Sequence, residues 1–179
     1  MPAVTEILRA CYSHVEVAGR DGTRGVGVTN LKRVWGRPED LRTLVAALGR
    51  TIADVQAVAS ADTGSAPLAA VVAYELGMPS VFVRDLPKRH LLSYGGDPAT
   101  NDPRLFGERL APGSTVHDID DLVHTGESLA SAVRTLRAAG LVVRGASCLL
   151  VAPETTGWRA TLAAVGVDRL ASLASTAEL

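Results

Sequence analysis

The stretch Ser114-Thr-Val-His-Asp-Ile-Asp120-Asp121-Leu-Val-His124-Thr125-Gly126-Glu127-Ser128 constrains this chain more than any other. A short β-prone run leads into two adjacent carboxylates, a loop of small residues follows at once, and a helix opens from that loop. The pattern predicts a strand over residues 115–119 and a helix over residues 128–139, closed by Gly140. A strand that feeds straight into a helix belongs to an α/β sheet. Neighbouring side chains at a strand end point to opposite sides, so Asp120 and Asp121 are not expected to share a proton as a catalytic dyad. One can face sugar hydroxyls, and the other can bond local backbone or help position a metal-bound water. The amides of residues 124–128, with Gly126 for close approach, can cradle a phosphate at the helix N-terminus. The competing reading is an acidic turn followed by a serine cap.

The rest of the chain repeats the strand–helix alternation. Pro38-Glu-Asp-Leu41 starts a helix with proline early and acids in the first turn, and Leu41, Leu44, Val45 and Leu48 form its apolar stripe. Residues 55–59 read as a strand. Asp62-Thr63-Gly64-Ser65 is a turn, with Ser65 placed to cap the next helix. Residues 67–76 are apolar nearly all round, which predicts a deeply buried helix ended by Gly77 and Pro79. Residues 80–83 give a second strand. Residues 86–113 are rich in Gly, Pro, Asp and Asn and read as one long loop, a lid or a disordered segment. Residues 141–143 and 146–151 together give a fourth, bent strand, residues 161–165 a helix, and a last short strand includes Leu170. The order predicts a mostly parallel twisted sheet flanked by helices, within one domain of 179 residues. Ligands in such sheets bind beyond the carboxyl ends of the strands, where loops 60–65, 84–90 and 120–128 converge.

Composition narrows the partners. A net charge of -1 provides no general attraction to nucleic acid or anionic lipid. No apolar run approaches the ~20 residues of a membrane span, and Met-Pro-Ala-Val-Thr-Glu lacks the regions of a secretory signal. Cys11 and Cys148 have no metal-ligand spacing, and Cys148 lies in an apolar run that predicts a buried free thiol. These features fit a reduced, cytoplasmic protein with neither membrane nor nucleic-acid partner.

Asp120-Asp121-Leu-Val-His124-Thr125-Gly126-Glu127-Ser128 resembles the donor loop of the type I phosphoribosyltransferases: two acids, two variable residues, then Thr-Thr-Gly-variable-Ser or Thr. His124 stands where the first Thr is expected. Asp62-Thr63-Gly64-Ser65, the apolar helix after it, and Arg84-Asp85-Leu-Pro-Lys88-Arg89-His90 look like the orotate phosphoribosyltransferase branch, with Asp85 in place of a lysine. The resemblance covers about residues 55–152. It implies a transferase that moves ribose 5-phosphate from phosphoribosyl pyrophosphate to a nitrogenous base. Asp120 and Asp121 would act at the sugar and, through water and substrate, at Mg2+. Lys88 and His90 would assist the leaving group. Asp62, Thr63, Gly64, Arg84, Lys88 and His90 would bind pyrophosphate, and His124, Thr125, Gly126, Glu127 and Ser128 the 5′-phosphate. A small N-terminal hood over residues 1–37, a lid over residues 86–113 and a homodimer belong to the same implication. The glycine-rich residues 19–27 read as a hairpin or loop and show no hood motif. The Asp-Arg pair with which this branch meets orotate is missing from Pro153-Glu154-Thr-Thr-Gly157-Trp158-Arg159. There Arg159 could substitute, and Trp158 could stack on a base or belong to the core. His117 and Asp118 stand as polar residues inside an otherwise apolar strand. The readings in competition are a transferase for a purine or a specialised acceptor, and a non-catalytic sensor that keeps the sugar-phosphate loop.

Overall fold

The computed structural model describes residues 3–12, 14–15, 28–29, 31–62, 64–84 and 105–179, with side chains for all of these except 14, 15, 28, 29 and 62. The elements run α1 (Val4–Cys11), β1 (His14–Val15), β2 (Val28–Thr29), α2 (Pro38–Gly49), β3 (Ala57–Asp62), α3 (Ala66–Leu76), β4 (Ser80–Arg84), β5 (Leu105–Gly107), β6 (Thr115–Val123), α4 (Glu127–Ala138), β7 (Val142–Val151), α5 (Trp158–Ala163) and β8 (Leu170–Ser175). The main sheet has six strands in the order β5-β4-β3-β6-β7-β8. All neighbours are parallel except the edge strand β5, which runs antiparallel to β4. The expected α/β architecture is therefore present. β1 and β2 pair antiparallel, His14 with Thr29 and Val15 with Val28, while the glycine-rich residues 19–27, expected as a hairpin or loop, lie outside the described residues.

The parallel sheet is covered on both faces, as crossover helices require. α4 and α5 bury Leu129, Val133, Leu136 and Leu162 on one face, against Ala57, Ala59, Val116 and Cys148. Each large side chain so buried contributes about 1.5–3 kcal/mol. α1, α2 and α3 cover the other face with Leu8, Leu44, Leu48, Leu68 and Val72, against Val58, Ile119 and Leu149. α2 begins as its sequence predicts, with Pro38 in the first turn and Glu39 and Asp40 beside it. α3 ends at Gly77, whose φ of 64° lets the Met78 amide turn back to the Ala73 carbonyl.

Several boundaries differ from the sequence expectation. β3 begins two residues later than predicted, ends three later, and takes up part of the expected turn. β6 does not stop at Ile119: pairing with β7 continues through Val123↔Val151 and carries both Asp120 and Asp121 inside the strand. β7 is one bent strand, as expected, with a bulge at Arg144, since Val116 faces Val143 while His117 faces Gly145. α3 is buried along one face only, and Tyr74 on the other is 85% exposed. Composition suggested burial all round, but alanines tolerate either environment. The Ser65 hydroxyl bonds back to the Ala61 carbonyl instead of capping an amide. The carboxyl end of the expected loop 86–113 contributes β5, while residues 85–104 lie outside the described residues. α5 begins three residues early and takes in Trp158.

Candidate active site

Strand order creates the crevice. From β3 the chain steps to β4 on one side, while β6, β7 and β8 extend on the other, so β3 and β6 form the topological switch point where α/β sheets hold ligands. β3 pairs with β6 only from Ala57↔Val116 to Ala59↔Asp118. Beyond that register the two strands part, and Asp120 and Asp121 stand in the opening.

The two side chains leave the strand on opposite sides, as alternation demands, but their carboxyls stay close enough to interact with one another, against the expectation that they stand apart. Asp120 shares its face with Asp118 and lies opposite Cys148 on β7. Together with residues 122–128 it lines a small cavity of about 90 Å3. Asp121 reaches toward the turn after β3: a Cβ placed on Gly64 would lie 3.7 and 3.9 Å from its two carboxylate oxygens. Gly64 therefore leaves a gap beside Asp121, and two of the three predicted loops meet there. Asp120 Oδ1 accepts from the Asp121 amide at 2.9 Å, and Asp121 Oδ1 from the Leu122 amide at 2.9 Å. These local bonds leave both groups acceptor capacity for hydroxyls.

The electrostatics are strained. Burial pushes the Asp120 carboxyl well above the usual carboxylate range, and the charges of Asp121 and Asp118 push it further. Asp118 is 1% exposed, and neither of its oxygens finds a hydrogen-bond partner among the described residues. Burial raises it to about 7, and the nearby Ile119 amide offsets only part of that. Three carboxyls on four consecutive positions thus share one strand, with no cation from the described residues paired to any of them. A bound cationic or hydroxyl-rich ligand would relieve them. Burial also pushes the Cys148 thiol up beside Asp120, so the thiol is inert, as its apolar surroundings predicted.

The loop of residues 124–128 is braced from below. Gly126 has φ 79° and sits at the N-cap of α4, where a Cβ would come within 3.3 Å of the Trp158 carbonyl. Only glycine fits both the backbone and the contact. The first amides of α4, at Glu127 and Ser128, precede the first intrahelical bond, Ala130 N–H to Gly126 O at 2.8 Å. Thr156 Oγ1 has one proton to share between the His124 carbonyl at 2.6 Å and that of Pro153 at 2.9 Å. Trp158 is 6% exposed and donates from Nε1 to the Ala152 carbonyl at 3.1 Å. The indole is therefore core, as one of the two sequence readings held, and supports the loop rather than stacking on a base.

His124, Thr125, Gly126, Glu127 and Ser128 stand together in the loop as predicted. Arg84 closes β4 opposite Asp62 in register, with its guanidinium 4.5 Å from the Phe106 ring centroid. Asp62 ends β3, its side chain outside the described set. Thr63, Lys88 and His90 lie outside the described residues. Sequence reasoning missed the bracing role of Thr156 and left Asp118 unexplained. The only signal of Asp118 was an acid in an apolar strand two positions before Asp120.

No family model matches the chain. An orotate phosphoribosyltransferase of Phocaeicola vulgatus is 38% identical over 104 residues, which is 58% of this chain and 42% of that protein. One of Halobacterium salinarum is 35% identical over 142 residues, 79% of this chain and 74% of its relative. The chain thus spans under half the length of the first and about three quarters of the second. Among solved structures, orotate phosphoribosyltransferase from Aeropyrum pernix superposes with a TM-score of 0.74 at 27% identity, covering 97% of this chain and 94% of that one.

Proposed function

The chain belongs to the orotate phosphoribosyltransferase family, and from that premise we propose that it transfers ribose 5-phosphate from phosphoribosyl pyrophosphate to a nitrogenous base, orotate first. The observation that carries this reading is the meeting of Asp121 with the Gly64 turn, beside the Asp120 cavity and the α4 loop. It joins a hydroxyl-binding acid pair, an anion-binding helix start and a small-residue turn around one crevice.

Each group has a task in that reaction. The α4 amides and the hydroxyls of Thr125 and Ser128 would hold the 5′-phosphate. Asp120 and Asp121 would accept from the sugar hydroxyls. Their negative charge favours the positive, oxocarbenium-like sugar that forms as the anomeric C–O bond breaks. Its electron pair leaves on pyrophosphate, and a ring nitrogen of the base closes the new C–N bond as its N–H proton is lost to water or the departing pyrophosphate, so no protein nucleophile is needed. Gly64 and its neighbours, with Arg84, Lys88 and His90, would receive the leaving group. Among the described residues no three His, Cys, Asp or Glu side chains gather into a cation cage. That suits Mg2+ carried on the donor's own oxygens, with Asp120 and Asp121 reaching it through water. The ion would neutralise charge on the departing pyrophosphate. A lid loop over residues 86–113, a homodimer and a cytoplasmic setting complete the reading. No described helix is long and apolar enough to cross a membrane.

The acceptor side carries its own constraint. Arg159 Nε donates to Glu154 Oε1 at 2.7 Å, and its guanidinium stacks 4.4 Å from the Trp158 ring centroid. An orotate carboxylate must compete with Glu154 for this arginine or be held elsewhere. Two measurements test the proposal. Pyrophosphate release should appear with phosphoribosyl pyrophosphate, Mg2+ and orotate, and stay far lower with uracil or adenine. Titration calorimetry should show that Asp120→Asn/Asp121→Asn weakens donor binding by about a hundredfold or more. Unchanged affinity would remove the acid pair from the site. Tight donor binding with no release from any base would make the protein a sensor.

A further inference from the structure

A second cavity lies at the opposite end of the same strands. It has a volume of about 390 Å3 and is walled by Thr51, His117, Arg144, Gly145 and Arg169, with Ala53, Ala146 and Ala171 completing it. A neighbouring cavity of about 190 Å3 shares Arg144, Gly145 and Arg169 and adds Asp168. Both open at the amino-terminal ends of β6, β7 and β8, away from the 120–128 loop. The bulge in β7 makes the space, since the extra residue is Arg144 itself.

The polar atoms here are specified by hydrogen-bond accounting. Thr51 Oγ1 spends its one proton on the Leu48 carbonyl at 2.7 Å. The 2.6 Å contact between Thr51 Oγ1 and Ser147 Oγ must therefore be donated by Ser147. With its proton so used, Ser147 Oγ can only accept from His117 Nε2–H, at 2.5 Å. His117 is held as the Nε2–H tautomer, and Nδ1 keeps a free lone pair. That edge of the ring abuts bare Gly145, whose missing Cβ would lie 3.3 Å from Nδ1 and Cε1. Burial pushes His117 down to about 4, so the ring is neutral near pH 7.

Arg144 and Arg169 have no ion pair or hydrogen bond among the described residues and are exposed at the cavity mouth. Arg137 tethers the far wall by donating to the Val165 and Gly166 carbonyls, and Asp168 is the one carboxylate lining either cavity. The balance favours an anion, and paired guanidinium groups suit phosphate. Apart from the His117 imidazole, the uncharged walls are small or aliphatic, with no Phe, Tyr or Trp for a base to stack on, so a compact ligand fits better than a nucleotide. We propose that this cleft is a second ligand site, taking a small phosphate monoester whose oxygens meet Arg144 and Arg169 and whose hydroxyl donates to His117 Nδ1.

Two histidines report the two sites separately in NMR spectra of the full chain: His117 lines this cleft, and His124 lies in the α4 loop. Titration with glycerol 3-phosphate should move the His117 ring signals saturably, and sodium chloride at equal ionic strength should not. Arg144→Ser/Arg169→Ser should weaken the response by about tenfold or more. An unshifted unliganded His117 signal confirms that this variant is folded. Thr125→Ala/Ser128→Ala should leave the His117 response intact while reducing that of His124. The proposal fails if His117 stays still while His124 moves, if chloride reproduces the shift, or if the shift survives loss of both arginines. None of these outcomes bears on the reaction assigned to the other end of the sheet.

Discussion

The two faces of β6 treat buried polarity in opposite ways. His117 and Asp118 are consecutive, and each is at most 5% exposed. His117 faces α2 and ends a closed chain of hydrogen bonds through Ser147 and Thr51 to the Leu48 carbonyl. Asp118 faces α4 and, beyond the weak help of the Ile119 amide, has no well-formed side-chain hydrogen bond among the described residues. A satisfied buried group serves the fold, whereas an orphaned carboxyl just below Asp120 costs stability and loads negative charge under the crevice. Such local conflict is what functional sites tolerate and cores do not.

The pair titrates with opposite signs over nearly the same window. Asp118 ionises near 3.8 when unfolded and at about 7 when folded. Its penalty is absent below pH 4, grows as pH rises, and is complete above pH 7, at about 4 kcal/mol. Asp118→Asn should gain that much on the parent between pH 4 and 8, followed by urea unfolding. A gap that does not change with pH would mean Asp118 has a partner, and the contrast with His117 would collapse. His117 protonates near 6.5 when unfolded and at about 4 when folded. Its cost appears as pH falls from 6.5 to 4 and reaches about 3 kcal/mol. His117→Gln should flatten the acid limb of the same curves by that amount, at the expense of about 1 kcal/mol at pH 8 from the lost hydrogen bond. A smaller effect sharpens the comparison at the loop above Asp118. Gly126→Ala should lower stability by roughly 1–3 kcal/mol for its positive φ, with a larger proportional loss of donor affinity seen by calorimetry. If affinity follows stability alone, the strand and not the loop sets the grip.

Much of this was legible before any coordinates. The alternation of strands and helices gives the parallel sheet, and Asp120-Asp121 with Thr125-Gly126 marks the crevice, because both depend on local pattern. What was hidden depends on contacts distant in sequence. Nothing in Val116-His117-Asp118 says that Ser147, thirty residues on, will close the hydrogen-bond chain of one side chain and leave the other without any. The extension of β6 to Val123 comes from pairing with β7, not from propensity. The edge strand β5 was lost in a glycine- and proline-rich stretch because three residues make too short a period to see. Trp158 was placed correctly only as one of two options, since its burial rests on Ala152 and Leu162 rather than on its neighbours.

The divergence of β3 from β6 after three paired residues divides the molecule into two wings joined along one seam. One wing, β3 to β5, carries the turn and basic segment assigned to the departing group. The other, β6 to β8 with α5, carries the sugar loop and the segment from Glu154 to Arg159. On the proposed reaction, rewriting the 153–159 segment would change the acceptor, while the seam would keep the donor's two ends in register. An insertion or deletion within Ala57–Ala59 or Val116–Asp118 has no such freedom, because it would shift the shared register and misalign both wings at once.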